Sequence, residues 1–325
     1  MATLKDVARE TGLTVSTVSR VLNNRGYISK EAREKVYAAM KKLNYQPNEL
    51  ARSLSKQTTN TIGVILPYID HPYFARVLSC LETAAFMNGY RLVVFNSNHR
   101  DDKEQQYLEM CKGIRVAGVI LCSGSVREQY VEELGVPLVA LERFQEGCVA
   151  VIECDNRQGG RLAAKHLSEK GCRTVAYLGS DEILPASEEE REKGFLEICV
   201  REGLACIEPE RERADGSRMG CKESIERLLT EHPEVDGIFA GNDVAASWVI
   251  QICGKKGIQI PQQLKVVGFD DSMVCTLTSP EITTVHQPIP EMASLAVESI
   301  VRVANKEEVH PRTVLPVSLI RRETT

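Results

Sequence analysis

The stretch TVSTVSRVLN, residues 14–23, brings short hydroxyl-bearing side chains, a valine and one arginine together on one helical face. Hydroxyls hydrogen-bond to base edges or phosphates, valine contacts the thymine methyl group, and arginine binds O6 and N7 of guanine. This chemistry predicts contact with double-stranded DNA by one set: Thr14, Val15, Ser16, Thr17, Ser19, Arg20 and Asn23. The alternative is that Thr14 only caps the helix and Thr17 only fills space.

The charge distribution agrees with a polyanionic partner for this end of the chain. The 325 residues carry a formal net charge of -5. Residues 1–60 contain eleven lysines and arginines against five acidic residues, a net charge of +6, so the remainder carries -11. A basic segment on an acidic chain is a nucleic-acid signal, although basic termini are also common in other proteins.

Three short helices must position the hydroxyl face. LKDVARETG has an apolar helical stripe, and Gly12 is a typical helix end. Val18, Val21 and Leu22 form a second stripe after a turn of a few residues, which predicts a helix-turn-helix. Ser29 is expected to cap a third helix that covers the first two. We expect residues 1–46 to form a complete DNA-binding head whose second helix enters the major groove.

A second group of polar residues follows the apolar, strand-like segments of residues 61–325. Parallel strands place such residues at one edge of a sheet, where ligands bind. Acids, arginines and amides beside aromatic rings suit a polyhydroxylated ligand. Some members are expected only to cap helices, with Asp243 as an example and His71 as a second possibility. The residues are Asp70, His71, Tyr73, Phe74, Asn96, Glu142, Arg143, Asn242, Asp243, Asp270, Asp271 and Gln287.

Continuous apolar strands alternate with amphipathic helices twice along the body, roughly over 61–155 and 156–280. The alternation predicts an α/β fold of two doubly wound lobes, each with a parallel sheet covered on both faces. We expect lobe one to contain 61–155 and 285–305, and lobe two 156–282 and 306–325. The Gly159–Gly160 pair is expected to mark a close packing contact of a helix.

Between head and body, residues 47–60 contain a short predicted helix from Glu49 to about Lys56, with Asn48 as its cap. Eight residues are too few for a stable isolated helix, and Leu50 and Leu54 have no local core to enter. We therefore expect another molecule to cover these leucines. The alternative is a plain interdomain linker.

The segments TLKDVARETGLTVSTVSRVLN and LNYQPNELARSLSKQTTNTIGVILP resemble the LacI/GalR family of bacterial transcription regulators, especially its ribose and sucrose operon repressors. The resemblance covers the whole chain. It implies a homodimer on a pseudo-palindromic operator, with a hinge helix that orders on DNA and contacts it through Arg52, Leu54 and Ser55. The leucine would wedge into a base step from the minor groove. Many relatives have lysine where Ser55 stands, so a charged contact there is not implied.

The resemblance also implies a body similar to periplasmic sugar-binding proteins, with an effector site between the lobes. Position by position it implies one set of effector-binding residues: His71, Tyr73, Phe74, Glu142, Arg143, Arg191, Asn242, Asp270 and Gln287. Two departures argue against assigning a particular sugar. Glu142 replaces the usual aspartate, and the aromatic residue common near position 214 is absent. The expected effector is a sugar or sugar phosphate that acts on a repressor of carbohydrate use.

Other function classes receive less support. The chain has no phosphate loop, dinucleotide fingerprint or nucleophile elbow, so we expect no enzyme and no cofactor. Eleven cysteines without a C-x-x-C pair, and histidines without ligand spacing, predict reduced thiols, no metal site and a cytoplasmic protein without a membrane span. No leucine heptad follows the body, so no tetramerising coiled tail is expected. A corepressor or phosphoprotein partner remains an alternative to a sugar inducer, and so does an architectural DNA-binding protein whose body only dimerises.

Overall fold

The computed structural model describes residues 2–23, 28–45, 59–123, 134–142, 147–179, 185–207 and 220–325. The chain divides into two compact units, Met1–Thr59 and Asn60–Thr325, which we call the head and the body. Parts of the expected DNA-binding and effector-binding sets lie outside the described residues, together with the expected hinge helix. They are Arg52, Leu54, Ser55, Arg143 and the side chain of Asn23.

The head consists of α1 (Leu4–Thr11), α2 (Val15–Asn23) and α3 (Lys30–Lys42). Both predicted helix boundaries are confirmed. Gly12 ends α1 with a left-handed φ of 69°, and the Ser29 hydroxyl caps α3 by accepting a hydrogen bond from the Ala32 amide. Side chains from all three helices form one small core: Val7, Ala8, Val18, Val21, Val36 and Ala39.

The first sheet of the body consists, within the described residues, of β1 (Thr61–Leu66), β2 (Arg91–Asn96), β3 (Gly118–Leu121), β4 (Leu138–Leu141), β5 (Ala150–Cys154) and β11 (Arg312–Leu315). Its strand order is β2-β1-β3-β4-β5-β11, and every pairing is parallel. Buried apolar strands of this kind need helices on both faces. The predicted doubly wound lobe is confirmed.

The second sheet consists, in the described part of the chain, of β6 (Thr174–Leu178), β7 (Ala205–Ile207), β8 (Gly237–Ala240), β9 (Lys265–Asp270), β10 (Thr283–His286) and β12 (Ser318–Ile320). The order β7-β6-β8-β9-β10-β12 repeats that of the first sheet. Only β12, which pairs with β10, is antiparallel among these described strands. In both sheets the strand order reverses beside the first strand, β1 or β6, and such a reversal places a crevice at the carboxyl ends.

Helices cover the two sheets of the body, as the predicted alternation of strands and amphipathic helices requires. The described helices are α4 (Pro72–Met87), α5 (Asp101–Gly113), α6 (Asn156–Glu169), α7 (Pro185–Glu202), α8 (Gly220–Glu231), α9 (Asp243–Lys256) and α10 (Ile289–Ala304). A short 3-10 helix, Met273–Thr276, follows β9. None of the helices in the described ranges is long and apolar enough to cross a membrane.

Along the described strands, the chain passes between the two sheets three times: after β5, after β10, and between β11 and β12. The expected lobe boundaries differ from this pairing at two places. Residues 312–315 pair with β5 of the first sheet, although 306–325 were expected in lobe two. Residues 285–286 belong to β10 of the second sheet, although they were expected in lobe one. Residues 312–315 extend the edge formed by β5, whose backbone groups would otherwise stay unpaired.

A pair of glycines brings α6 and α7 into close backbone contact. A methyl group built on Gly160 would overlap the Arg191 carbonyl oxygen, and one built on Gly194 would overlap the Arg157 carbonyl oxygen. The predicted close-packing role of the Gly159–Gly160 pair is confirmed for both, because a methyl group on Gly159 would overlap the Phe269 ring. The backbone contact places the Arg191 segment of α7 directly against the first turns of α6.

Candidate functional site

The outer face of α2 carries the predicted hydroxyl set. The Thr17 amide donates a 3.1 Å hydrogen bond to Thr14 Oγ1, so Thr14 caps the helix as the structural alternative proposed. Thr14, Val15 and Ser16 are exposed, Thr17 and Ser19 are half-buried, and Arg20 is exposed one turn further on. Val18 and Val21 on the opposite face enter the head core. The face is accessible to a partner, and its contact with DNA stays a prediction.

In the body, four predicted residues from both lobes lie in one buried cluster. Glu142 follows β4 of the first sheet, Asp270 ends β9, Gln287 follows β10, and Arg191 lies on α7. All four are at least nine-tenths buried. Gln287 Nε2 donates to Asp270 Oδ1 at 2.8 Å, and Arg191 Nη2 lies 4.0 Å from Glu142 Oε2. We call these four residues, together with Asn156, the interlobe network.

Three contacts fix the Arg191 guanidinium inside the network. Its Nε donates to Asn156 Oδ1 at 2.7 Å, and its Nη1 donates to the Gly241 carbonyl at 2.6 Å. Its Cζ lies 3.7 Å from the centre of the Phe269 ring, a cation–π contact. A guanidinium held on three sides has a defined orientation, so its remaining donors can select a ligand by geometry.

Sequence reasoning missed Asn156, which joins the two lobes of the network. Its Nδ2 donates to Glu142 Oε2 at 2.9 Å while its Oδ1 accepts from Arg191. Asn156 begins α6 at the first crossover between the sheets, after β5, a strand that was not predicted from the sequence. The apolar run VAVI before ECDN was the available signal. Ser187 was also missed, and its hydroxyl donates to the Glu142 carbonyl at 2.5 Å.

The backbone at the strand ends of this cluster adopts unusual conformations. Glu142 has a φ of 59°, Asp270 a φ of 112° and Asp271 a φ of 54°, all in the region that favours glycine. Such conformations cost on the order of 1–3 kcal/mol each and concentrate at ligand-binding sites. Here they turn two of the buried carboxylates, those of Glu142 and Asp270, into the interlobe network.

The charges in the cluster compensate each other only in part. Burial raises the pKa of Asp270 well above its usual range, Asp243 raises it further, and Arg191 opposes both. Burial disfavours the charged form of Arg191 as well, but Asp270 and the other neighbouring acids keep the pKa of its guanidinium above the ordinary value. Gln287 Oε1 is buried without a hydrogen-bond partner among the described residues. The site therefore offers both donors and acceptors in a dry environment, where each is strong.

The predicted aromatic residues lie beside the network but inside the core. Tyr73 is 5 % exposed and Phe74 is 1 % exposed, with ring centres 5.0 Å apart. Burial raises the pKa of Tyr73 well above the ordinary value, and the negative charge of Glu142 adds to this effect. His71 caps α4 by accepting from the Tyr73 amide at Nδ1, 3.3 Å away. The capping alternative for His71 is thus present in the structure, while ligand contact stays a prediction.

Asn242, not Asp243, caps α9, and contact of Asn242 with the effector stays a prediction. Asn242 Oδ1 caps α9 by accepting from the Ala245 amide at 2.8 Å, so the expectation that Asp243 is the cap is wrong. Asp243 is instead fully buried, where its carboxylate accepts from the Ser272 amide at 2.7 Å and from the Thr284 hydroxyl at 2.6 Å. It thereby braces the ends of β9 and β10, from which Asp270 and Gln287 extend. The extended backbone of Asn242 suits an N-cap and leaves Asp243 inside the first turn.

Comparison with known proteins agrees with both units. A model of the bacterial regulatory proteins of the lacI family matches residues 3–48, and a model of a periplasmic binding protein-like domain matches residues 164–325. Over its whole length the chain is 37% identical to the ribose operon repressor of Halalkalibacterium halodurans, of which it covers 97%. It is 32% identical to the sucrose operon repressor of Streptococcus mutans, again over its whole length and over 99% of that protein.

A solved structure resembles the chain over the same extent. The crystal structure of the lac repressor dimer bound to operator and the anti-inducer ONPF matches with a TM-score of 0.85 and 26% identity. The match covers all of this chain and 99% of that one. A head and a body of these kinds are therefore found in one chain of a known protein.

Proposed function

The chain belongs to the LacI family of bacterial regulatory proteins and is a DNA-binding transcriptional regulator, and we propose that it represses a carbohydrate-utilisation operon in the cytoplasm. Two similar relatives are repressors of the ribose and the sucrose operon. The matched relatives are regulators of transcription, and the interlobe network has the composition of a binding site.

The observation that carries the proposal is the interlobe network itself. A buried arginine, two buried carboxylates, an asparagine and a glutamine converge from two lobes, and Gln287 retains an unpartnered oxygen among the described residues. Sugar hydroxyls both donate and accept, so a polyol satisfies such a mixture better than an apolar molecule does. A packing core would not require ionisable groups at this depth. We propose a sugar or sugar phosphate as the effector.

The head is proposed to bind the operator through the outer face of α2. The hydroxyls of Ser16, Thr17 and Ser19, together with Arg20, have the size and hydrogen-bonding capacity for base edges and phosphates. The net charge of +6 in residues 1–60 supplies attraction to the duplex. Leu54 and its neighbours 52 and 55 remain the proposed hinge contacts.

We propose that the active form is a homodimer. The body exposes large apolar side chains on α4 and on the edge strand β2, where Phe86 is 71% exposed, Met87 79% and Val94 41%. Lobe two adds Met273 and Leu277, exposed by 69% and 72%. A second copy would remove these surfaces from water. Phe86→Glu should yield monomers in sedimentation analysis, whereas an unchanged dimer would exclude this face.

Regulation is proposed to act through the angle between the lobes. Asn156 and Gln287 lie at two of the three crossovers, so a ligand that binds them also contacts the points about which the lobes move. Operator affinity changes only by as much as the ligand prefers one lobe arrangement over the other. The proposed sign is induction, in which the sugar releases DNA.

A thermal-shift screen of the full chain against pentoses, hexoses, disaccharides and sugar phosphates tests this proposal. A sugar that raises the Tm should also change operator binding in a gel-shift assay with selected DNA. A ligand that binds without changing DNA affinity would contradict the regulatory role. DNA binding together with no response to any sugar or sugar phosphate would favour a protein corepressor.

A further inference from the structure

Three hydroxyl groups at the start of α2 are hydrogen-bonded to one another through Thr14. Thr14 Oγ1 lies 2.9 Å from Ser16 Oγ and 2.8 Å from Thr17 Oγ1. The same oxygen accepts the Thr17 amide at 3.1 Å. Thr14 therefore has three polar partners within its own turn, and Ser16 and Thr17 share it as a common partner.

The hydrogen-bonding capacity of Thr14 determines what this arrangement allows. A hydroxyl oxygen has one proton to donate and two lone pairs to accept with. The Thr17 amide takes one lone pair. Because Thr14 has a single proton, it donates to one neighbouring hydroxyl and accepts from the other. The Thr14 hydroxyl is then saturated inside the protein and has nothing left for DNA.

The hydroxyls of Ser16 and Thr17 consequently differ in whether their proton is available to DNA. The hydroxyl that donates to Thr14 presents only lone pairs outward, so it can accept from the N6 amino group of adenine or the N4 amino group of cytosine. The other hydroxyl keeps its proton and can donate to O6 or N7 of guanine or to O4 of thymine. Reversing the direction of the chain of hydroxyls exchanges the two roles.

We propose that Thr14 is a positioning residue that couples Ser16 and Thr17, so that only one of the two hydroxyls can donate to a base edge at a time. The inference rests on the proposed role of α2 as the helix that contacts the operator. It predicts that the base preferences opposite Ser16 and Thr17 are interdependent. A pair of base edges that both accept is disfavoured, because only one of the two hydroxyls keeps its proton, whereas a pair with at least one donor edge can be satisfied.

The test uses the full chain and synthetic double-stranded DNA. A randomised library first yields preferred operators. The variants Ser16→Ala and Thr17→Ala then show which base-pair position each hydroxyl contacts, which gives two positions in all. Dissociation constants are measured for all sixteen combinations at those positions with the wild type, Thr14→Ala, Thr14→Gly and Thr14→Ser. The glycine variant matters because glycine at an N-cap weakens a helix far less than alanine does.

In the wild type, a base combination that leaves one hydroxyl mismatched should bind about fivefold more weakly than the two single-position effects predict together. This is the size of one lost hydrogen bond. Thr14→Ser retains a hydroxyl and should keep this coupling. Thr14→Ala and Thr14→Gly should lose it, whatever happens to average affinity, and circular dichroism checks that the helices persist. A loss of capping alone would weaken all sixteen sequences equally.

Two results would overturn the proposal, and they differ. Independent preferences at both positions in the wild type would refute the coupling while leaving α2 as the DNA-contacting helix. If Ser16→Ala, Thr17→Ala and Arg20→Ala all left the base preference unchanged at every position, the proposed role of α2 itself would fail.

Discussion

Replacing Asn156 with alanine removes the side chain that connects the two lobes inside the interlobe network. The change deletes the hydrogen bonds from Nδ2 to Glu142 Oε2 at 2.9 Å and to the Cys154 carbonyl at 3.2 Å. It also deletes the bond from Arg191 Nε to Asn156 Oδ1 at 2.7 Å. Glu142 and Arg191 then each lose a partner while both remain buried.

The size of the effect follows from these three contacts. Hydrogen bonds to charged groups contribute about 1.5–3 kcal/mol each, and two of the three are of this kind. Water that enters the vacated space offsets part of the loss. We therefore expect the free energy of unfolding to fall by about 3 kcal/mol, which lowers the Tm of a unit of this size by about 6–12 °C.

Urea and thermal unfolding followed by circular dichroism measure this loss, and calorimetric titration with the identified effector measures binding. Effector affinity should fall by about tenfold or more because the Arg191 guanidinium loses one of the contacts that orient it. Gln158→Ala, in the same turn of α6, is the matched control and should leave both quantities nearly unchanged. A variant with wild-type stability and wild-type effector affinity would refute the assignment of Asn156 to the network.

Two further variants test the packing and the electrostatics around the site. Gly160→Ala should destabilise the body by about 2 kcal/mol in urea unfolding, because the methyl group overlaps the Arg191 carbonyl. Gly254 lies in α9 with open space around it, so Gly254→Ala should raise the free energy of unfolding by up to about 1 kcal/mol. Equal effects of the two substitutions would contradict the close contact at Gly160. Burial raises the pKa of Asp243 to about 6, so the folded chain binds this proton more readily than the unfolded chain. Its contribution to stability should therefore decline as the pH rises from about 4 to 6, by on the order of 3 kcal/mol. Asp243→Asn should remove that slope, and a variant that follows the wild-type pH dependence would contradict the assignment.

Much of the fold could be predicted because its signals are local. The helices of the head have clear apolar stripes and recognisable ends at Gly12 and Ser29. The long central strands of both sheets are continuous apolar runs. The short strands could not be placed, because Arg312–Leu315 and Ser318–Ile320 acquire their strand character from the sheet edges that they extend.

The candidate site was predicted where a polar residue directly follows a strong strand, as Glu142 and Asp270 do. Asn156 escaped because its strand was not identified and because its role depends on a partner 35 residues away on another helix. The assignment of the α9 cap was wrong because two adjacent residues are both good caps. Only the backbone angles decide between Asn242 and Asp243.

The most direct test of the central claim is a titration of fluorescently labelled operator DNA, followed by anisotropy, with and without the effector. We compare the wild type with Asp270→Asn, which keeps the shape of a side chain in the interlobe network and lies outside the head. We expect the effector to weaken operator binding by the wild type by about tenfold or more, a typical allosteric coupling. We also expect the variant to bind the operator like the wild type without effector and not to respond to it. A variant that responds to the effector as the wild type does would contradict the account.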